Sequence, residues 1–272
     1  MSLDTQTGAQ PGERDEDAGL TEAAAPAIEQ RRVVGWRDVI IPAICLVVAL
    51  LLYFSVHNRS LDTIESNILD GKTLTGNTVQ QIYLSLIIAA LVICIAVPLG
   101  ILVTRRRTRW LSPIVLGFGN LGQSAPSLGL LAIFGTFLFI GFWAVIIILT
   151  AYTTLSVLRN TIVGLEGVDR NVLDAAKGMG MSPAKILLTV ELPLAIPVIG
   201  AGARTAIVLA VGTVPLAADL GAGGLGASLF GAIHNNRPFP LLIVAAMIAI
   251  LALLMDWAAG IVQRGLTPRG IR

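Results

Sequence analysis

The chain has 272 residues, 55% of them hydrophobic and 13% charged, where an ordinary soluble domain carries about 25% charged residues. With a mean hydropathy of +0.80, this excludes a soluble single-core protein and predicts a polytopic, all-α membrane protein. A formal charge of +2, two histidines (His57, His234) and two cysteines inside apolar runs (Cys45, Cys94) give no reason to expect a nucleic-acid partner, a metal site or a disulfide.

Residues 1–32 are a different material: over the first 30 of them Asp4, Glu13, Asp15, Glu16, Asp17, Glu22 and Glu29 face a single Arg14. Nothing there can bury a core, so a disordered tail is expected. It also lacks the basic start, short apolar run and small-residue cleavage site of a signal peptide. A membrane helix takes about 20 apolar residues, and about six segments approach that. The first is 39–56, followed by a loop to residue 78. The second is 79–103 and the third 112–137. The third carries Gln123, Ser124, Pro126 and Ser127, so a kink or break is expected near Pro126. Interrupted backbone at membrane depth lines a cavity or is buried in protein. Pathway, gate and packing kink are therefore all open readings of those four residues. The remaining spans are 141–158, 196–217 and 239–262, with a short tail at 266–272.

Fourteen Lys and Arg fall in the N-terminal flank, the two longer basic loops and the C-terminal tail, against three (Arg59, Lys72, Arg237) on the other side. That asymmetry predicts both termini in the cytoplasm. Inside the spans the charges are Arg204 and Asp256, which either pair or snorkel to the interface. Gly200, Ala201, Gly202 and Ala203 give the fifth span a small-residue face, suited to close helix contact or a dimer seam.

Two motifs fail on context. Gly221-Ala222-Gly223-Gly224-Leu225-Gly226 spells G-x-G-x-x-G but follows a membrane span rather than a strand, and reads as a turn at a helix end. Gly71-Lys72-Thr73 lacks the glycine five residues earlier that a phosphate loop needs, since that position is Ser66. No catalytic set is expected in this chain.

The segment 169–193 interrupts the apolar pattern. Asp169 is placed to cap a helix with Val172, Leu173, Ala176 and Met179 on one face. Gly178 and Gly180 end it, and Ser182-Pro183 starts a second helix. Pro193 and Pro197 are expected to redirect the chain into the membrane. Asp174, Ala175, Ala176, Gly180, Val190, Leu192 and Pro193 also match, in spacing, the cytoplasmic motif of ABC-importer permeases. Asp174 stands where that family usually has Glu, and Val190 where it has Ile.

The resemblance implies a type I ABC importer permease fold over 79–265, with a coupling loop at 159–195. In that family the loop docks in a groove of a separate ATPase. The docking residues carried over are Asp174, Ala175, Ala176, Gly178, Gly180, Ser182, Pro183, Leu192 and Pro193. It further implies no cofactor in this chain, with ATP and Mg on the partner ATPase. An extracytoplasmic substrate-binding protein and a second permease chain, identical or related, complete the set. The stretch 178–226, with "GQSAPSLGLLAIFG" and "TVQQIYLSL", is similar to permeases for glycine betaine, carnitine, choline or proline in the bacterial inner membrane. A permease for methionine or taurine, and a scaffold or channel without an ATPase, are the alternatives.

Overall fold

The computed structural model describes residues 37–105, 107–137 and 141–267. The acidic tail at 1–32 and the last residues, 268–272, lie outside them. In chain order the helices are α1 (Arg37–His57), α2 (Thr63–Ile68), α3 (Gly71–Thr104), α4 (Ser112–Ser124), α5 (Ser127–Phe137), α6 (Phe142–Glu166), α7 (Arg170–Gly178), α8 (Pro183–Ile186), α9 (Leu192–Thr213), α10 (Leu225–His234) and α11 (Pro238–Leu266). A π-helical turn, Leu187–Glu191, joins α8 to α9, and a 3-10 segment, Val214–Leu220, follows α9. No strand occurs among the described residues.

Among the described residues five helical stretches are long and apolar enough to cross a membrane: 39–57, 71–104, 142–166, 183–220 and 238–266. The expected third span is instead two short helices, α4 and α5, and the break falls where proline chemistry puts it. Ala125 is extended (φ −77°, ψ 141°), the conformation that a following proline ring imposes. The Pro126 carbonyl then accepts from Leu130 N–H at 3.1 Å as α5 begins.

Helices α3, α6 and α9 pack on one another at the centre, α11 packs against α9, and α1 lies on α11. One apolar core joins Leu84, Ile88 and Val92 of α3 to Val145 and Leu149 of α6 and Ala206 and Ala210 of α9. A second gathers Val211, Leu225, Val244 and Leu251 under α11. Small residues set these approaches. A Cβ on Gly202 would sit 2.6 Å from Asn160 Cβ, and one on Gly200 would sit 2.6 Å from Gln263 Cγ. The space at Gly200 and Gly202 is therefore filled by α11 and α6 of the same chain, the close helix contact expected of that face. Cys45 is buried, whereas Cys94 lies exposed on the outer side of α3.

At the end of the bundle away from α7, the glycine-rich turn closes on α3. Gly224 holds φ +68°, which favours glycine. Its N–H donates to Gln80 Oε1 at 3.0 Å, while Gln80 Nε2 donates to the Ala222 carbonyl at 3.1 Å. Gln81 Nε2 donates to the Val211 carbonyl at 3.0 Å, and Asn77 Nδ2 to Ser228 Oγ at 2.9 Å. The turn is thus a structural clasp, as its sequence context requires.

Candidate functional site

The loop between α6 and α9 is built by its own caps. Asp169 accepts from Asn171 N–H at 2.9 Å and starts α7. Gly180, at φ +77°, closes the helix. Its N–H donates to the Lys177 carbonyl at 2.9 Å, and Met181 N–H donates to the Ala176 carbonyl at 3.2 Å. Those two bonds form a complete Schellman motif. Ser182 Oγ accepts from Lys185 N–H at 3.4 Å, with Pro183 in the first turn of α8.

The exit departs from expectation. Pro193 and Pro197 do not redirect the chain: α8 runs through the π turn into α9 without a break. Leu192 N–H reaches back to the Leu187 carbonyl, and the wider π turn gives the Pro193 ring room that an α turn would deny it. Pro197 is absorbed inside α9, and its carbonyl accepts from Gln263 Nε2 at 2.7 Å. The loop is thus rigidly continuous with a span.

Ion pairs fix its base. Arg105 Nη2, at the end of α3, lies 2.5 Å from Glu191 Oε2, whose side chain is only 13% exposed. Arg109 Nη2 lies 3.3 Å from Glu166 Oε1. Arg105, Arg109, Arg170, Glu166 and Glu191 surround one small cleft of about 210 Å³. Neither Arg105–Glu191 nor Arg109–Glu166 was paired from the sequence. Eighty-six positions separate Arg105 from Glu191, and no local pattern reports such a pairing.

The helix faces also differ from the expected apolar stripe. Ala176 is 2% exposed and Leu173 is half-buried, while Val172 and Met179 point outward. Of the carried-over docking set, Asp174, Ala175, Gly178, Gly180, Ser182 and Pro183 are exposed, Leu192 and Pro193 are half-buried at the helix base, and Ala176 packs inside the loop. The outer surface gains Val172, Met179 and Leu188, 42%, 70% and 63% exposed. Lys177 Nζ bonds Asp174 Oδ1 at 2.7 Å. That hydrogen bond and the ammonium charge hold the Asp174 carboxyl below the ordinary carboxylate range.

A second region surrounds the helix break. Gln123 Nε2 donates to the Tyr152 carbonyl at 3.1 Å and to Ser156 Oγ at 3.4 Å. Ser124 Oγ turns back onto the Leu121 carbonyl, Pro126 is exposed and Ser127 half-buried. Beside Gln123 opens a groove of about 390 Å³, lined by Phe118, Leu130, Phe134, Ile147 and Tyr152 among others. Arg204 and Asp256 meet in a two-bond pair, Nε to Oδ1 at 3.0 Å and Nη2 to Oδ2 at 2.6 Å. Gly260 leaves space for the guanidinium, since a Cβ there would lie 3.3 Å from Arg204 Cζ.

The family model for the binding-protein-dependent transport system inner membrane component matches residues 96–268. The glycine betaine/carnitine/choline transport system permease protein OpuCB of Bacillus subtilis is 37% identical over 215 residues, 79% of this chain and 97% of the relative. The choline transport system permease protein OpuBB of the same organism is 38% identical, over 75% of this chain and 93% of the relative. The osmoprotectant import permease protein OsmW of Salmonella typhimurium is 37% identical, over 78% of this chain and the whole relative. Among solved structures, an inward-facing MetNI methionine ABC transporter chain superposes with a TM-score of 0.64 at 24% identity, over 72% of this chain and 97% of that one. That likeness concerns the fold. The chain belongs to the family of binding-protein-dependent transport system inner membrane components.

Proposed function

We propose that this chain is the transmembrane permease subunit of an ABC importer for quaternary-amine osmoprotectants, the class to which glycine betaine, carnitine and choline belong. The names of its relatives support the cargo, and they favour it over methionine or taurine. Both termini lie in the cytoplasm in this reading, which the asymmetry of Lys and Arg supports. The loop 167–191 is then cytoplasmic and docks a separate ATPase, which holds the ATP and Mg. An extracytoplasmic binding protein delivers the substrate, and a second permease chain completes the pathway.

One observation carries the docking role: Val172, Met179 and Leu188 stand exposed on a loop whose backbone is capped at every turn. Apolar side chains held rigidly on a water-facing loop mark a protein partner. The stiffness has a mechanical use. With α8 continuous with α9 and Glu191 held by Arg105, a displacement of α7 rotates spans rather than dissipating in the loop.

The test is co-purification from mild detergent. A tagged wild-type chain retains an ATPase subunit, whereas Met179→Asp or Val172→Asp, which put a charge into the docking face without touching the core, reduce that yield at least about tenfold. An inserted, monodisperse wild-type chain that never retains an ATPase rejects the reading.

A further inference from the structure

We propose that the polar stripe where α4 faces α6, together with the adjoining aromatic groove, is a two-part site for a zwitterionic quaternary amine: the groove takes the methylated ammonium and Arg159 takes the carboxylate. The proposal rests on the osmoprotectant reading above and names what the permease itself recognises.

Arg159 is the first observation. From the sequence it falls in the loop after the fourth span, but α6 continues to Glu166. At about 1.5 Å per residue, Arg159 therefore sits about 10 Å inside the helix end. Arg204, another arginine inside a span, has its carboxylate in Asp256. Arg159 has none within ion-pair distance among the described residues; its Nη2 donates to the neutral Asn120 Oδ1 at 3.2 Å. An arginine within a membrane helix, held only by an amide and exposed on the chain, has an anion-accepting fork to offer.

The second observation is placement. Tyr152, Ser156 and Arg159 follow one another at i, i+4 and i+7 on one side of α6, and Asn120 and Gln123 at i and i+3 on the facing side of α4. Gln123 bonds Tyr152 and Ser156, and Asn120 bonds Arg159, so the two helices run antiparallel in register. A side chain at Gly119 would collide with Leu155, its Cβ only 2.5 Å from Leu155 Cδ1; glycine lets the helices close. Polar groups on both helices do not belong against hydrocarbon.

The third is the groove beyond Gln123, about 390 Å³ with Phe118, Phe134 and Tyr152 in its wall and no acidic residue. Aromatic faces attract quaternary ammonium without the dehydration that a carboxylate partner would demand. A methylated head seated there directs an attached carboxylate along the stripe toward Gln123 and Arg159. Choline, which has a hydroxyl in place of the carboxylate, meets only the aromatic half.

The experiment is saturation-transfer NMR on the N-methyl protons of glycine betaine and of choline, with the permease–ATPase complex in lipid nanodiscs and no binding protein. Wild type binds both. Arg159→Gln shifts the ratio of the two affinities about tenfold toward choline, and Arg159→Lys, which keeps the charge but not the fork, shifts it less. Tyr152→Leu weakens both ligands together, while Tyr152→Phe does not. Recovery of the ATPase with each variant shows that it is folded. An equal effect of Arg159→Gln on both ligands, or none, overturns the proposal, as does the absence of a wild-type signal. Uptake of quaternary amines by cells carrying the wild-type system separates failure of this site from failure of the transport reading.

Discussion

Gly202 shows how single atoms decide the helix packing. Valine there must displace Asn160, whose Cβ already occupies the space a side chain would need. A cost of about 1–3 kcal/mol is expected for such overpacking, read as a lower unfolding temperature in detergent. Gly212, in the same helix with nothing within 4 Å of a built Cβ, should accept alanine without loss. Asp174 makes a prediction about pH. A carboxyl whose folded value is depressed contributes stability above its unfolded value, and that contribution is lost as pH falls through the folded one. With the shift downward, the loss lies below about pH 5. Asp174→Asn should therefore change ATPase recovery by the same factor at about pH 6 and about pH 8. A factor that differs between them would mean that another group controls the contact.

At the scale of elements, much was legible because it is local. Asp169, Gly180 and Ser182-Pro183 are cap residues whose chemistry acts within four or five positions, and each caps as its type dictates. Pro126 breaks the third span for the same reason. The exit of the loop was not legible. Pro193 and Pro197 normally end or bend a helix, and only the π turn before them, a tertiary adjustment, keeps α8 and α9 continuous. Likewise Ala176 matched a motif by spacing, yet which side of α7 faces the protein depends on what lies beneath it. The Arg105–Glu191 pair joins α3 to that exit, and its removal has a clear expectation. Arg105→Glu leaves half-buried Glu191 facing a like charge and costs about 2 kcal/mol. Arg105→Glu combined with Glu191→Arg recovers most of the lost thermal stability. A double variant no better than the single would remove the pair from the account. Pro126→Ala tests the other break: with the ring gone, α4 and α5 can join, and uptake should fall while ATPase recovery stays intact.

For the whole molecule, α3, α6 and α9 form a packed centre whose ends carry different devices. At one end Gln80, Gln81 and Asn77 clasp the turn around Gly224; at the other, the loop 167–191 is tied to α3 and fused to α9. The membrane class of the protein is legible in composition, and the loop's residues carry the resemblance to the family that the comparisons show. The long-range pairs that make these devices rigid are not legible, because residues far apart in sequence leave no periodic mark. The central claim is that this chain carries quaternary amines inward when its loop is driven by an ATPase. The most direct measurement is uptake of labelled glycine betaine, carnitine and choline by host cells in which only this gene is deleted. The account predicts loss of uptake, restoration by the wild-type chain and none by Met179→Asp inserted at equal level. Unchanged uptake of all three on deletion, or full restoration by Met179→Asp, would contradict it.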